Sequence, residues 1–231
     1  MDSNWSIIER TRARNIRDLA TELDKPQLLN ILRRFLQSQL QCDDRDPEDV
    51  PLDECPFYDG SIRVYNSASS TFYAPSDVSG LHGMRREHIR CSPMWRKGGA
   101  RYDCVFVVTN PHAEGMLGLD VARVLCLFSF KYLGTVYPCA IIRWFDRVGD
   151  GPDPNTGMWK VHTRSAQDIA IIHLDTIYRA AQLIPIYWTQ DIDPASVKPN
   201  QSTGIGKSLR IPFIRITNVI LSKWSGNTRR R

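Results

Sequence analysis

Nineteen residues, "GMRREHIRCSPMWRKGGAR" at 83 to 101, hold six cations, Arg85, Arg86, Arg90, Arg96, Lys97 and Arg101, against one acid, Glu87, with His88 and Trp95 set between them. Cationic side chains at this density neutralise phosphates, and a tryptophan among them can stack on an unpaired base. The run is therefore a candidate nucleic-acid site. The plainer alternative is that the arginines decorate a solvated helix turn and loop, with Trp95 buried in the fold.

Other chemistry is less well supplied. Two-metal phosphoryl transfer needs about three convergent carboxylates. The candidates Asp103, Asp120, Asp146, Asp150, Asp153 and Asp175 fall mostly at expected turns or element ends. "GDGPDPNTGMW", 149 to 159, has the carboxylates and glycines of a calcium loop but not the spacing. Counting from Asp146, the third position is Val148, and the residue six past Gly151 is Gly157 rather than Glu. Its glycines and prolines suit a turn, in which Asp150, Asp153 and Asn155 accept bonds from exposed backbone N–H groups. Cys139 with His162 is an open nucleophile pair, but strand alternation places Cys139 in the apolar core, where thiols are inert. The six cysteines form no CxxC pair and no short Cys/His cluster. The expectation is no catalytic residue, no metal and no cofactor.

The elements that would carry these residues can be read from periodicity. Residues 1–40 read as a helical hairpin. Ile7, Ile8, Ile16, Leu19 and Leu23 share one face of its first helix, and Leu28, Leu32, Phe35 and Leu36 line one stripe of the second. Lys25 and Pro26 mark the break, because proline suits a first helical turn and not an interior. Such a hairpin is too small to bury both stripes and must dock, on the domain that follows or on a partner. Residues 41–56 hold seven Asp/Glu and one Arg with proline punctuation, which is linker composition. From 57 to 190 the pattern turns to short β-type runs at 61–67, 70–75, 103–110, 123–134, 135–148 and 158–163, with "LGT" as a tight hairpin between the 123 and 135 runs. "IAIIHL" reads as a last strand and "LDTIYRAAQL" as a short helix capped by Asp175 and ended before Pro185. Residues 191–231 are a basic tail expected to be poorly ordered, with eight Lys/Arg and no Asp/Glu from 198 onward, a pattern often merely solvated. The fold class expected is α+β and mainly β. A helical hairpin joins a small antiparallel β-barrel, SH3-like or similar, with a short terminal helix.

With 231 residues, 42% hydrophobic and 24% charged, the chain can bury one substantial core. The N-terminus lacks the apolar run of a signal peptide and no later run reaches the length of a membrane span, which points to an intracellular protein with reduced thiols.

The stretches "SIRVYNSASSTFYAPSDVSG", "GMRREHIR", "ARYD", "FSF", "YPCA", "WF", "GDGPDPNTGMW" and "HLDTIYRAAQLIPIY" occur in the order of a region that resembles the C-terminal part of fungal CACTA-like transposases of the Plavaka type. "ARNIRDLATELDKPQLLNILRRFLQSQL" and "ECPFYDGSI" also resemble what precedes that region, so the resemblance covers roughly residues 10 to 190. It implies an accessory region downstream of a catalytic core that would carry the carboxylates and metal ions for strand transfer. That core is absent here, since the chain starts just before the hairpin. After "IPIYW" the sequence departs from the family's aromatic-rich continuation, as an altered reading frame or a retained intron would produce.

The resulting expectation is a non-catalytic accessory region of a transposon-derived nuclear protein that binds nucleic acid, with DNA, a transposase core or a chromatin protein as partner. The alternative is a protein- or chromatin-peptide interaction module, for which Tyr65, Phe72, Tyr73, Trp144, Phe145 and Trp159 supply aromatics, or a non-functional transposase relic. Exposure discriminates the two binding modes: open aromatics favour peptide, and an Arg/Lys stripe favours nucleic acid.

Overall fold

The computed structural model describes residues 6–9, 12–40, 49–73, 84–96, 98–185 and 214–216, the first and last of these segments by their backbone only. The helices are α1, Ile16–Glu22, and α2, Leu28–Leu40. Asn15 caps α1 by accepting the Asp18 N–H at 2.8 Å. The chain then turns through Asp24, at φ +53°, before Pro26. In α2 the stripe of Leu28, Leu32, Phe35 and Leu36 is buried, as the periodicity predicts. The first helix is shorter than the sequence suggests. Ser6–Glu9 is a strand, β1, so Ile7 and Ile8 belong to a sheet rather than to a helical face.

The remaining strands are β2 (Ile62–Tyr73), β3 (Met84–Ser92), β4 (Arg101–Tyr102), β5 (Cys104–Val108), β6 (Leu119–Tyr132), β7 (Thr135–Val148), β8 (Trp159–Thr163), β9 (Ile169–His173), β10 (Ile177–Ala181), β11 (Leu183–Pro185) and β12 (Ile214–Ile216). Two expectations fail here. The arginine-bearing stretch 84–92 is a strand, because Ile89 and Cys91 alternate with polar residues at period two and are fully buried. "LDTIYRAAQL" is a 3-10 turn followed by β10 and β11, because Ile177 and Ala181 are buried by pairing with β5, which overrides helix propensity. Of the tail, only the short strand Ile214–Ile216, which pairs with β8 and β11, lies within the described residues.

The fold is α+β and mainly β: two helices on a curled antiparallel sheet that forms a half-barrel. Its spine is the β6–β7 hairpin. The turn is Leu133-Gly134, both at positive φ, which matches the twist of the flanking strands. Strands β10, β5, β6, β7 and β9 pair in that order, and the first and last of them are joined by one turn, so the sheet wraps on itself. Register shifts between Tyr65 and Ser67 and between Val124 and Cys126 bend it. The concave side packs Ile89, Val105, Val124, Leu127, Ala140 and Ile142. On the outer side the helices cover Ile62, Val64, Phe128, Phe130 and Ile141. A third cluster on that outer side gathers Phe106, Val121, Phe145 and Trp159. The hairpin of helices thus docks on the sheet. Among the described residues no helix is long and apolar enough to cross a membrane.

Candidate nucleic-acid interface

Strand alternation divides the basic run. Ile89 and Cys91 point into the concave core, so Arg85 and Glu87 share their side, while Arg86, His88 and Arg90 lie on the other. Arg85 pairs across from Phe72. Glu87 accepts the Ala180 N–H at 3.0 Å and lies 3.8 Å from Arg179, whose guanidinium sits 3.7 Å over the Phe72 ring. Burial pushes the Glu87 carboxyl up, and the Ala180 and Arg179 contacts offset only part of the shift. Glu87 ties β3 to β10, a structural task.

The loop from β3 to β4 gathers the rest. It is held by Trp95 N–H to the Gly99 carbonyl, Gly98 N–H to the Trp95 carbonyl and Ser92 Oγ to the Met94 carbonyl, at 3.2, 2.8 and 2.6 Å. Arg96 takes the left-handed conformation, φ +49°, that closes the loop. Three guanidiniums then surround Trp95: Arg90 at 4.8 Å, Arg101 at 5.2 Å and Arg96 at 5.3 Å from the ring. All lie within cation–π range, and the ring lets three cations stand closer than their repulsion otherwise favours. Trp95 is half-buried rather than interior.

One acid organises the group. Asp103 accepts the Arg90 N–H and the Arg101 Nε–H, both at 2.9 Å, and donates its own N–H to the Arg90 carbonyl at 2.8 Å. Its carbonyl accepts the Val124 N–H, which anchors the loop to β6. Three cations against one carboxylate leave a local excess of two positive charges.

Of the residues singled out by sequence, Arg90, Trp95, Arg96 and Arg101 converge. Arg86 is on the same side four residues away along β3, about 13 Å. Arg85 is on the opposite side, and Lys97 lies outside the described residues. Asp103 was missed in this role because an isolated acid beside an arginine reads as a turn residue.

The other chemistry is dispersed. Asp120 meets Thr109 Oγ1 at 2.9 Å and Arg147 at 3.2 Å, and Asp146 meets Arg164 at 2.5 Å and His162 at 3.4 Å. Among the described residues no group of three His, Cys, Asp or Glu could hold a metal ion. His162 pairs with Asp146, seven residues along β7 from Cys139, about 23 Å. The cross-strand neighbour of Cys139 is instead His173, whose Nδ1 is 3.5 Å from Asp175. Cys139 is nonetheless 1% exposed and burial pushes its thiol far up, so it is protonated and closed to substrate. Among the aromatics weighed for peptide binding, Phe145 and Trp159 are core, Tyr65 and Trp144 pack against the concave cluster, and the side chain of Tyr73 lies outside the described residues.

No family model, no curated protein and no solved structure matches this chain.

Proposed function

We propose that this chain is a non-catalytic accessory region of a transposon-derived nuclear protein, and that it grips nucleic acid by its phosphates through Arg90, Arg96 and Arg101. The observation that carries the reading is the half-buried Trp95 with three guanidiniums within 5.3 Å and one carboxylate among them. With cations already around the indole, base stacking is not the contact. Trp95 acts as a plinth that gathers three guanidiniums around a single carboxylate, which engages only Arg101 Nε among them, and their remaining outward N–H groups meet phosphate oxygens. Recognition is then of backbone and largely independent of sequence. The half-barrel serves as an SH3-like scaffold, and the motif resemblance supplies DNA as substrate class and a transposase core as companion. The aromatic-groove alternative is weaker, because most of the aromatics it needs are buried or packed.

The test is the salt dependence of duplex DNA binding by the full chain, with Lys198, Lys207, Arg210, Arg215, Lys223, Arg229, Arg230 and Arg231 changed to Gln so that the tail does not supply the signal. Changing Arg90, Arg96 and Arg101 together to Gln should lower the log-log salt slope by about 2.7, three contacts at about 0.9 each. Equal slopes with and without the three arginines would remove the proposal.

A further inference from the structure

Register places two arginines face to face in the middle of the spine: Arg123 of β6 is directly opposite Arg143 of β7. Their outward neighbours explain the setting. Along β6 they are Val121 and Leu125, and along β7 they are Ile141 and Phe145, so the pair occupies the gap between the apolar cluster under the helices and the cluster around Phe106. Both Nε atoms are buried, and among the described residues neither has a hydrogen-bond acceptor. Arg123 lies 5.5 Å from the Phe145 ring and touches the Cys104 thiol, which burial pushes up and keeps neutral. Neither arginine has a carboxylate partner among the described residues.

Arg12 and Arg33 also leave one buried nitrogen each without an acceptor, but both have protein acceptors elsewhere on the guanidinium. Arg12, whose side chain is 6% exposed, pairs with Glu22 and donates to Asn66 Oδ1 at 3.1 Å. Arg33 donates to the Asp53 and Cys55 carbonyls at 3.3 and 2.9 Å. Like charges directly opposite on neighbouring strands are unfavourable, and burying a charge without a partner is more so. The Arg143 guanidinium is accordingly pushed down, first by burial and then by Arg123. A missing negative charge fits this geometry.

We infer that Arg123 and Arg143 form a binding site for a phosphate-class oxyanion, distinct from the Trp95 loop. Two guanidinium forks need acceptor pairs on two edges of one ligand. A tetrahedral oxyanion has them, whereas a carboxylate offers one edge. The phosphate is either free or carried on a nucleotide.

Thermal unfolding of the full chain tests this, in sodium phosphate against sodium chloride at equal ionic strength, for wild type, R123Q, R143Q and the R90Q/R96Q pair. Phosphate should raise the Tm of wild type saturably. The rise should shrink in R123Q and R143Q by more than it does in R90Q/R96Q, so failure here is separable from failure of the Trp95-loop proposal. Adenosine monophosphate giving the larger rise identifies a nucleotide-borne group, and inorganic phosphate doing so identifies the free ion. Without phosphate, R143Q should unfold no earlier than wild type, since it removes a half-buried cation whose buried Nε has no acceptor among the described residues. Phosphorus-31 line broadening of inorganic phosphate by the wild-type chain gives a reading that needs no variant. The proposal is overturned by a wild type that neither shifts nor broadens with phosphate, by an equal shift in R143Q, or by an R143Q that unfolds early in chloride. A phosphate effect that emerges only after Asp43, Asp44, Asp46 and Glu48 are neutralised also overturns it, because the chain would then fill the site itself.

Discussion

Two loops of this protein handle charge in opposite ways. In the 149–158 loop between β7 and β8, Asp153 Oδ1 accepts from the Asn155 N–H, the Thr156 N–H and Thr156 Oγ1 at 3.1, 3.0 and 3.0 Å, and Oδ2 pairs with Lys160. Asp153 is thus answered from within the loop and from the strand beside it, whereas Asp150, expected to accept backbone N–H groups, is exposed and makes no such bond among the described residues. In the β3–β4 loop, three guanidiniums crowd one ring, and only that of Arg101 meets the one carboxylate among them. The first loop resembles a metal site in composition and is a self-satisfied turn. The second reads as a candidate site or a solvated loop, and it holds more positive charge than its one carboxylate answers. Composition alone does not separate structural from functional charge; what separates them is whether the fold supplies the counter-charge.

The severest way to probe the comparison is to weaken what the loops share. The 149–158 loop follows β7 directly, and the Trp95 loop hangs on β6 through the bond from Val124 to Asp103. Phe130 is 3% exposed and lies 5.0, 5.2 and 5.9 Å from the rings of Tyr58, Tyr137 and Phe128. Phe130→Ala should cost about 3–5 kcal/mol in urea unfolding. Below its lowered Tm the variant should still bind DNA as wild type does, since the loop's own bonds stay in place. Lost binding in a folded variant would mean that the loop's order is borrowed from the core.

A smaller effect isolates the plinth. Trp95→Ala removes the ring but none of the charge. With three exposed cation–π contacts worth roughly 0.5–1 kcal/mol each, DNA affinity should fall about ten- to a hundredfold while the salt slope stays as in wild type. A slope that falls with the affinity would show the arginines dispersing, and a loss confined to single strands would restore base stacking as the contact.

How much of this was legible depends on where periodicity was unambiguous. Leu28, Leu32, Phe35 and Leu36, and the two long strands joined at Leu133-Gly134, follow from local pattern, and they form as read. Ile7 and Ile8 were misplaced because two adjacent apolar residues fit a helix stripe or a strand equally well, and only pairing with β2 decides. "LDTIYRAAQL" has genuine helix formers, and the strand wins because β5 needs a partner. For the site, residue types were legible and sides were not. Arg85 and Arg86 are adjacent in sequence and opposite in space, a fact that needs the register. The Arg123–Arg143 pair was invisible for the same reason, since twenty residues separate two side chains that only strand pairing brings together.

The turn between β6 and β7 carries neither kind of charge and provides a control. Gly134 sits at φ +86° with nothing within 4 Å of an added Cβ, so Gly134→Ala meets only backbone strain. It should cost about 1 kcal/mol by thermal unfolding and leave DNA binding untouched. A change in binding would show that the spine transmits to the Trp95 loop.

The smallest effect on binding, and the sharpest test of the contrast, belongs to Asp153. Its carboxyl is lowered to about 2, first by the bond from Lys160 and then by the Thr156 contacts. A depressed acid contributes order that is complete above its ordinary value of 3.8 and is lost as pH falls through the folded value. Acidification should therefore leave the amides of Asn155 and Thr156 unmoved above about pH 4 and release them on approach to pH 2, as read by NMR. Asp153→Asn should abolish that titration and weaken the Lys160 contact, yet leave DNA affinity and salt slope as in wild type, because the loop itself carries only acids and has no cation to offer a phosphate. If Asp153→Asn instead tightened binding, Lys160 released from its partner would be reaching the nucleic acid. The self-satisfied loop would then be a latent extension of the basic surface, held back by a single carboxylate.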